Sequence, residues 1–108
     1  MKYEIKSSNK GWSLVPDGKP HTNQASKIFN LLMDGERMTR GDSINLVGCH
    51  KLPSRVSEIN DALYNFMDAP FSVTSDKVPT MHGGYVYKYF LTAVQRNQIE
   101  AQVKRVAA

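Results

Sequence analysis

Hydrophobic and polar positions alternate at first, then recur at a longer period. Residues 2–6, Lys-Tyr-Glu-Ile-Lys, switch between polar and apolar at every step, the mark of a half-buried strand. Gly-Trp-Ser-Leu-Val at 11–15 can pair with it through the Ser-Ser-Asn-Lys turn. Pro16, Asp17-Gly18 and Pro20 then punctuate a turn-rich linker. Residues 1–21 therefore read as an N-terminal arm or short hairpin ahead of the main unit.

From residue 22 the period becomes helical. Ala25, Ile28, Phe29, Leu32 and Met33 form one stripe, Thr22 or Asn23 can cap its start, and Gly35 ends it. A second, two-turn helix follows. Thr39 and Asp42 resemble a capping box with a shorter acid, Ile44, Leu46 and Val47 are expected on its buried side, and Gly48 closes it. Gly41 in its first turn works against it by about 1 kcal/mol. After Cys49-His50-Lys51 a third helix is predicted from about Pro53 to Phe66, proline being well suited to a first helical position. Leu52, Val56, Ile59 and Leu63 line its inner face. Ser54, Ser57, Glu58, Asp61 and Asn65 lie opposite, with Arg55 on the flank.

Asp68-Ala69-Pro70 breaks that helix. Phe71–Ser75 and Tyr85–Leu91 read as the strands of a hairpin, with a loose tip at Met81-His82-Gly83-Gly84. Thr92 can cap a last helix whose stripe, Ile99, Val103 and Val106, is narrow.

Helix, short helix, turn, helix, hairpin is the order of a winged helix-turn-helix. The expected fold is thus α+β: a three-helix core with a β-hairpin wing over 22–91, preceded by the arm and followed by a C-terminal helix over 92–108. Three helices share one apolar centre, and the short turn forces the second and third to cross steeply. The third then presents a long face to solvent, with a diameter that fits the major groove of B-form DNA.

The run "INLVGCHKLPSRVSEINDAL", followed by a hairpin ending in "YVYKYFL", resembles a helix-turn-helix domain family common in bacteriophage and prophage genomes. In that family a Leu-x-Arg or Leu-x-x-Arg step opens the third helix, with Ile and Leu following at helical spacing. Leu52, Arg55, Ile59 and Leu63 occupy those places here. The resemblance covers about residues 22–91. It implies a winged-helix fold, a phage-type origin and DNA binding, with Arg55 and its neighbours serving the fold as well as the ligand.

Composition bears on this in a few places only. A length of 108 residues, 41% hydrophobic and 22% charged, suits one globular domain with one small core. No apolar run approaches the roughly 20 residues that span a bilayer, and the N-terminus lacks an apolar signal core. The single cysteine, Cys49, excludes an internal disulfide, so a reducing, cytoplasmic location is expected; that the cell is a bacterial host is what the phage resemblance implies. A net charge of +4 and a pI near 9.3 permit an anionic partner. The excess lies at the two ends: Lys2, Lys6, Lys10 and Lys19 against Glu4 and Asp17, and Arg96, Lys104 and Arg105 against Glu100.

The candidate chemistry is recognition of double-stranded DNA. A helix N-terminus offers backbone donors and partial positive charge to phosphate. Ser54 and Ser57 are short and carry hydroxyls for phosphate or base edges, Arg55 can reach a guanine or a phosphate, and Lys51 approaches from the turn. Thr39 and Arg40 begin the second helix, the end that meets the DNA backbone in helix-turn-helix proteins. Lys77, His82 and Lys88 equip the wing for backbone or minor-groove contact. Structural alternatives stand beside these: Arg55 paired with Glu58 or Asp61, and the serines acting as caps. Glu58 and Asp61 repel phosphate, so only the first turn or two of the third helix is expected to enter the groove.

Other chemistry is not expected. Cys49 with the scattered His21, His50 and His82 lacks the paired spacing of a zinc site, and a small buried cysteine is the simpler reading. No His–carboxylate–Ser pattern, phosphate-binding glycine loop or paired carboxylates point to an enzyme or a cofactor. Trp12 packs on the domain or anchors a partner. Tyr85, Tyr87 and Tyr89 share one strand face and Val86, Lys88 and Phe90 the other, first of all a sheet-packing pattern, with a stacking platform for nucleic acid as the alternative. The last helix packs on its own domain, or forms a homodimer, or offers Lys104 and Arg105 to phosphate. The expected function is a small, sequence-selective DNA-binding regulator of transcription. The alternative is a winged-helix module that binds and modulates a host protein.

Overall fold

Two strands open the fold: β1 (Tyr3–Ser8) and β2 (Gly11–Pro16) pair antiparallel, with Ile5 opposite Leu14 and Ser7 opposite Trp12. The computed structural model describes residues 3–8, 11–16, 24–67 and 69–107, and within the first two strands the side chains of Ile5 and Trp12. The linker at 17–20, His21, the candidate caps Thr22 and Asn23, and the helix-breaking Asp68 lie outside the described residues. Then follow α1 (Gln24–Met33), α2 (Arg40–Val47), α3 (Leu52–Met67), β3 (Thr74–Pro79), β4 (Tyr85–Phe90) and α4 (Ala93–Ala107). Among the described residues the fold is α+β: four helices and two separate two-stranded antiparallel sheets. Among the described residues no helix is long and apolar enough to cross a membrane.

The core forms where the helical stripes meet. All five stripe residues of α1 are buried, and so are Leu52, Val56, Ile59, Ala62 and Leu63 of α3. Ile5, Met38, Cys49, Val73, Leu91 and Ile99 close the cluster from the remaining segments. The hairpin β1–β2 packs on α1 and α3. Trp12 sets its ring edge-on to Phe29, with centroids 6.3 Å apart and planes at 87°, a favoured aromatic geometry. Its backbone amide donates to Asn30 Oδ1 at 2.7 Å.

Helix ends follow local chemistry. Gly35 takes φ +92° after α1; its amide donates to the Leu32 carbonyl and that of Glu36 to the Leu31 carbonyl, the Schellman arrangement that favours glycine. α2 carries a full capping box: Thr39 Oγ1 accepts from the Asp42 amide, and the Asp42 carboxylate accepts from the Thr39 amide. Gly48 closes it at φ 67°, its amide donating to the Ile44 carbonyl. α4 has a second box, in which Thr92 Oγ1 accepts from the Gln95 amide and Gln95 Oε1 from the Thr92 amide.

Two expectations need correction. The buried residue of α2 is Ser43; Ile44 and Val47 are half-buried, and Leu46 is 55% exposed. At about 100° per residue Ser43, Val47 and Ile44 fall within one arc of about 100°, and Leu46 lies about 60° beyond its edge, on the open side. The strand expected from Phe71 begins instead at Thr74. Upstream, the backbone is held by helices: the Val73 amide donates to Asn60 Oδ1 at 2.7 Å, and Gln95 Nε2 donates to the Ser72 carbonyl at 2.8 Å. The β3–β4 ribbon is fastened at its base by an isolated antiparallel bridge between Met38 and Tyr89, in the segment before α2.

Candidate nucleic-acid interface

The geometry of this region begins with Gly48–Lys51, the four residues between α2 and α3. The Lys51 carbonyl accepts from the Arg55 amide at the start of α3, and the three before it need other partners. Each of the three receives a side chain. Gln24 Nε2, from α1, donates to the Gly48 carbonyl at 3.2 Å. Ser43 Oγ lies 2.8 Å from the Cys49 carbonyl oxygen and 2.8 Å from that of Arg40, sharing one proton between them. Arg40 Nε donates to the His50 carbonyl at 3.1 Å. Two helices thereby grip the turn, and the passage from α2 into α3 is held by these bonds.

Arg55 extends the network. Its Nε lies 3.3 Å from Gln24 Oε1 and its Nη1 2.7 Å from Glu58 Oε1. The pairing is with Glu58; the two side chains are 32% and 37% exposed. A chain of contacts thus runs from Glu58 through Arg55 and Gln24 to the Gly48 carbonyl, joining α3, α1 and the end of α2.

What remains at the start of α3 is polar and open. Lys51, Ser54 and Ser57 are exposed. The helix begins at Leu52, so Ser54 and Ser57 stand inside it, and the capping role considered for them is excluded. One turn separates them, about 4.5 Å along the axis. Thr39 is half-buried with its hydroxyl in the capping box, while Arg40 is exposed beside the turn. Arg40, Lys51 and Arg55 therefore meet around one turn, with Ser54 and Ser57 following along α3 and Thr39 capping the far end of α2.

The hairpin residues expected to meet DNA do not form a single face. In the β3–β4 register Lys77 stands opposite Tyr87, and Lys88 opposite Asp76. Directly opposed residues share a face and successive ones alternate, so Lys77 and Lys88 lie on opposite sides of the ribbon. Lys77 Nζ sits 4.3 Å from the centroid of the Tyr85 ring. Lys88 is half-buried, and His82 is exposed at the tip.

Sequence reasoning missed Gln24 and Ser43. Ser43 carried one signal, its place four residues before Val47 and in line with it on the helix. Gln24 carried none, its partner lying 24 residues away. The α4 stripe divides: Ile99 is buried, Val103 packs half-buried on the core, and Val106 is 65% exposed. Cys49, within the turn, is fully buried. The chain matches no family model, no curated protein and no solved structure.

Proposed function

We propose that the protein is a winged helix-turn-helix that binds double-stranded DNA, with the first turns of α3 in the major groove and the β3–β4 ribbon as its wing. One observation carries the reading. The Gly48–Lys51 turn is immobilised by Gln24, Ser43 and Arg40, while Lys51, Ser54 and Ser57 stand free at the helix start. A rigid turn that presents short hydroxyls and a lysine is suited to a polyanion at a helix N-terminus. The four-residue, glycine-containing connection fits the helix-turn-helix pattern, and the Met38–Tyr89 bridge ties the ribbon to the segment between α1 and α2.

In this reading Arg40 and Lys51 hold phosphates and Ser54 and Ser57 face the groove. Thr39 orients the start of α2, and Lys77, His82 or Lys88 meets backbone from the wing. Arg55 stays on Glu58 and Gln24. It cancels the carboxylate nearest the first turn and positions the two serines. Asp61 lies about 10 Å along the axis from Ser54, near the limit at which salt screens its charge. A role in phage or prophage transcription rests on the resemblance of the 44–63 run and the hairpin to that family.

A titration of duplex across a salt series tests this. Phosphate contacts from Arg40, Lys51 and one lysine of the wing, since Lys77 and Lys88 lie on opposite sides of the ribbon, give a log–log slope of roughly −2 to −3. A slope shallower than about −1 rejects the reading. A second reading, a module that binds a host protein, is favoured by one observation: Asp61 and Tyr64, the latter 56% exposed, continue the open side of α3. It predicts a flat salt response and a stoichiometric protein complex that Tyr64→Ala disrupts.

A further inference from the structure

The β3–β4 register places Pro79 with Tyr85, Lys77 with Tyr87 and Ser75 with Tyr89 on one side of the ribbon. The sheet-packing expectation holds for the last tyrosine only. Tyr89 is half-buried against the core, whereas Tyr85 is 61% and Tyr87 53% exposed, with Met81 97% exposed at the tip. The ribbon's one acid, Asp76, lies on the other side, opposite Lys88. The tyrosine side therefore carries two open rings, one lysine and no carboxylate.

We propose that this side is a stacking platform for single-stranded nucleic acid, one base on Tyr85 and one on Tyr87. Spacing selects the strand. Alternate residues of a strand stand about 6.8 Å apart, twice the roughly 3.4 Å between stacked nucleotides of a B-form strand. Successive bases reach both rings only when they are unstacked and the backbone is extended. A duplex, whose bases are covered by their neighbours, cannot use the pair. Charge favours the same ligand. The Lys77 ammonium rests 4.3 Å from the Tyr85 centroid, and its flexible stem lets it swing to a phosphate as a base takes the ring. Every base has a π-face, so such a platform tolerates sequence. The inference stands apart from the duplex reading, with which it shares only Lys77.

The test is fluorescence anisotropy with the full chain and labelled oligothymidylate and oligouridylate of about 12 nucleotides, beside a mixed-sequence duplex. Binding of either oligomer supports the proposal, and a preference between them identifies DNA or RNA as the source. Tyr85→Ala and Tyr87→Ala each weaken it, roughly 5- to 150-fold, while Tyr85→Phe and Tyr87→Phe stay within about twofold. All four variants keep the duplex affinity and the melting temperature of the parent, because both rings are exposed. The proposal is overturned if the parent binds neither oligomer, or if the double alanine variant binds them unchanged. It is also overturned if duplex affinity falls in parallel, or if sedimentation finds a parent dimer that the double variant converts to monomer. That last result assigns the tyrosines to a second copy of the chain.

Discussion

Replacing Ser43 by alanine removes one oxygen from a fully buried position and leaves the Cys49 carbonyl without its side-chain donor. An unpaired buried polar group costs about 1–3 kcal/mol. Alanine is the better helix former by about 0.5 kcal/mol, which offsets part of that. The expected net loss is about 0.5–2.5 kcal/mol, centred near 1.5. Urea unfolding followed by Trp12 fluorescence measures it, since the indole lies edge-on to buried Phe29 and changes environment on unfolding. With an m-value of about 1.5 kcal/mol/M the midpoint falls by about 1 M. The exposed Ser57→Ala is the control and moves stability by less than about 0.5 kcal/mol. If Ser43→Ala unfolds at the parent's midpoint, the hydroxyl does not hold the turn, and the rigidity argued for the passage from α2 into α3 fails with it.

Gly48→Ala meets no described atom within 4 Å of the added methyl group, but it forces φ 67° on an L-residue; denaturation is expected to register a loss of about 1–2 kcal/mol. Thr92→Ala breaks the second capping box and destabilises by about 1 kcal/mol, with faster amide exchange in the first turn of α4. A double-mutant cycle on Arg55 and Glu58, both about one-third exposed, gives a coupling below about 1 kcal/mol that shrinks in high salt.

The parts of the fold that were legible in the sequence are those fixed by neighbours on the chain. The stripes of α1 and α3 are sustained over several turns, and every residue expected in them is buried. The Thr39–Asp42 box and the stops at Gly35 and Gly48 each lie within a few residues and were readable as caps. The inner face of α2 was not, because eight residues make too few turns for periodicity to outvote a buried serine. The start of β3 was hidden for another reason. Asn60 and Gln95 capture the backbone at Val73 and Ser72 from 13 and 23 residues away, and no local pattern reports that. Alternation in Tyr85–Phe90 identified which residues share a side, yet it could not say which side stays open. For the candidate site, sequence supplied Lys51, Ser54 and Ser57 as a group. The partners that hold Arg55 and the turn came only from tertiary contacts.

The central claim is that the start of α3 meets a polyanion, and amide chemical-shift mapping of the full chain during titration with a mixed-sequence duplex at low salt addresses it most directly. The largest changes are predicted at Thr39–Gly41 and Lys51–Ser57, with a second group at Lys77, His82 or Lys88. Changes confined to β1, β2 or α4, with the first turns of α3 unmoved at saturation, contradict the account.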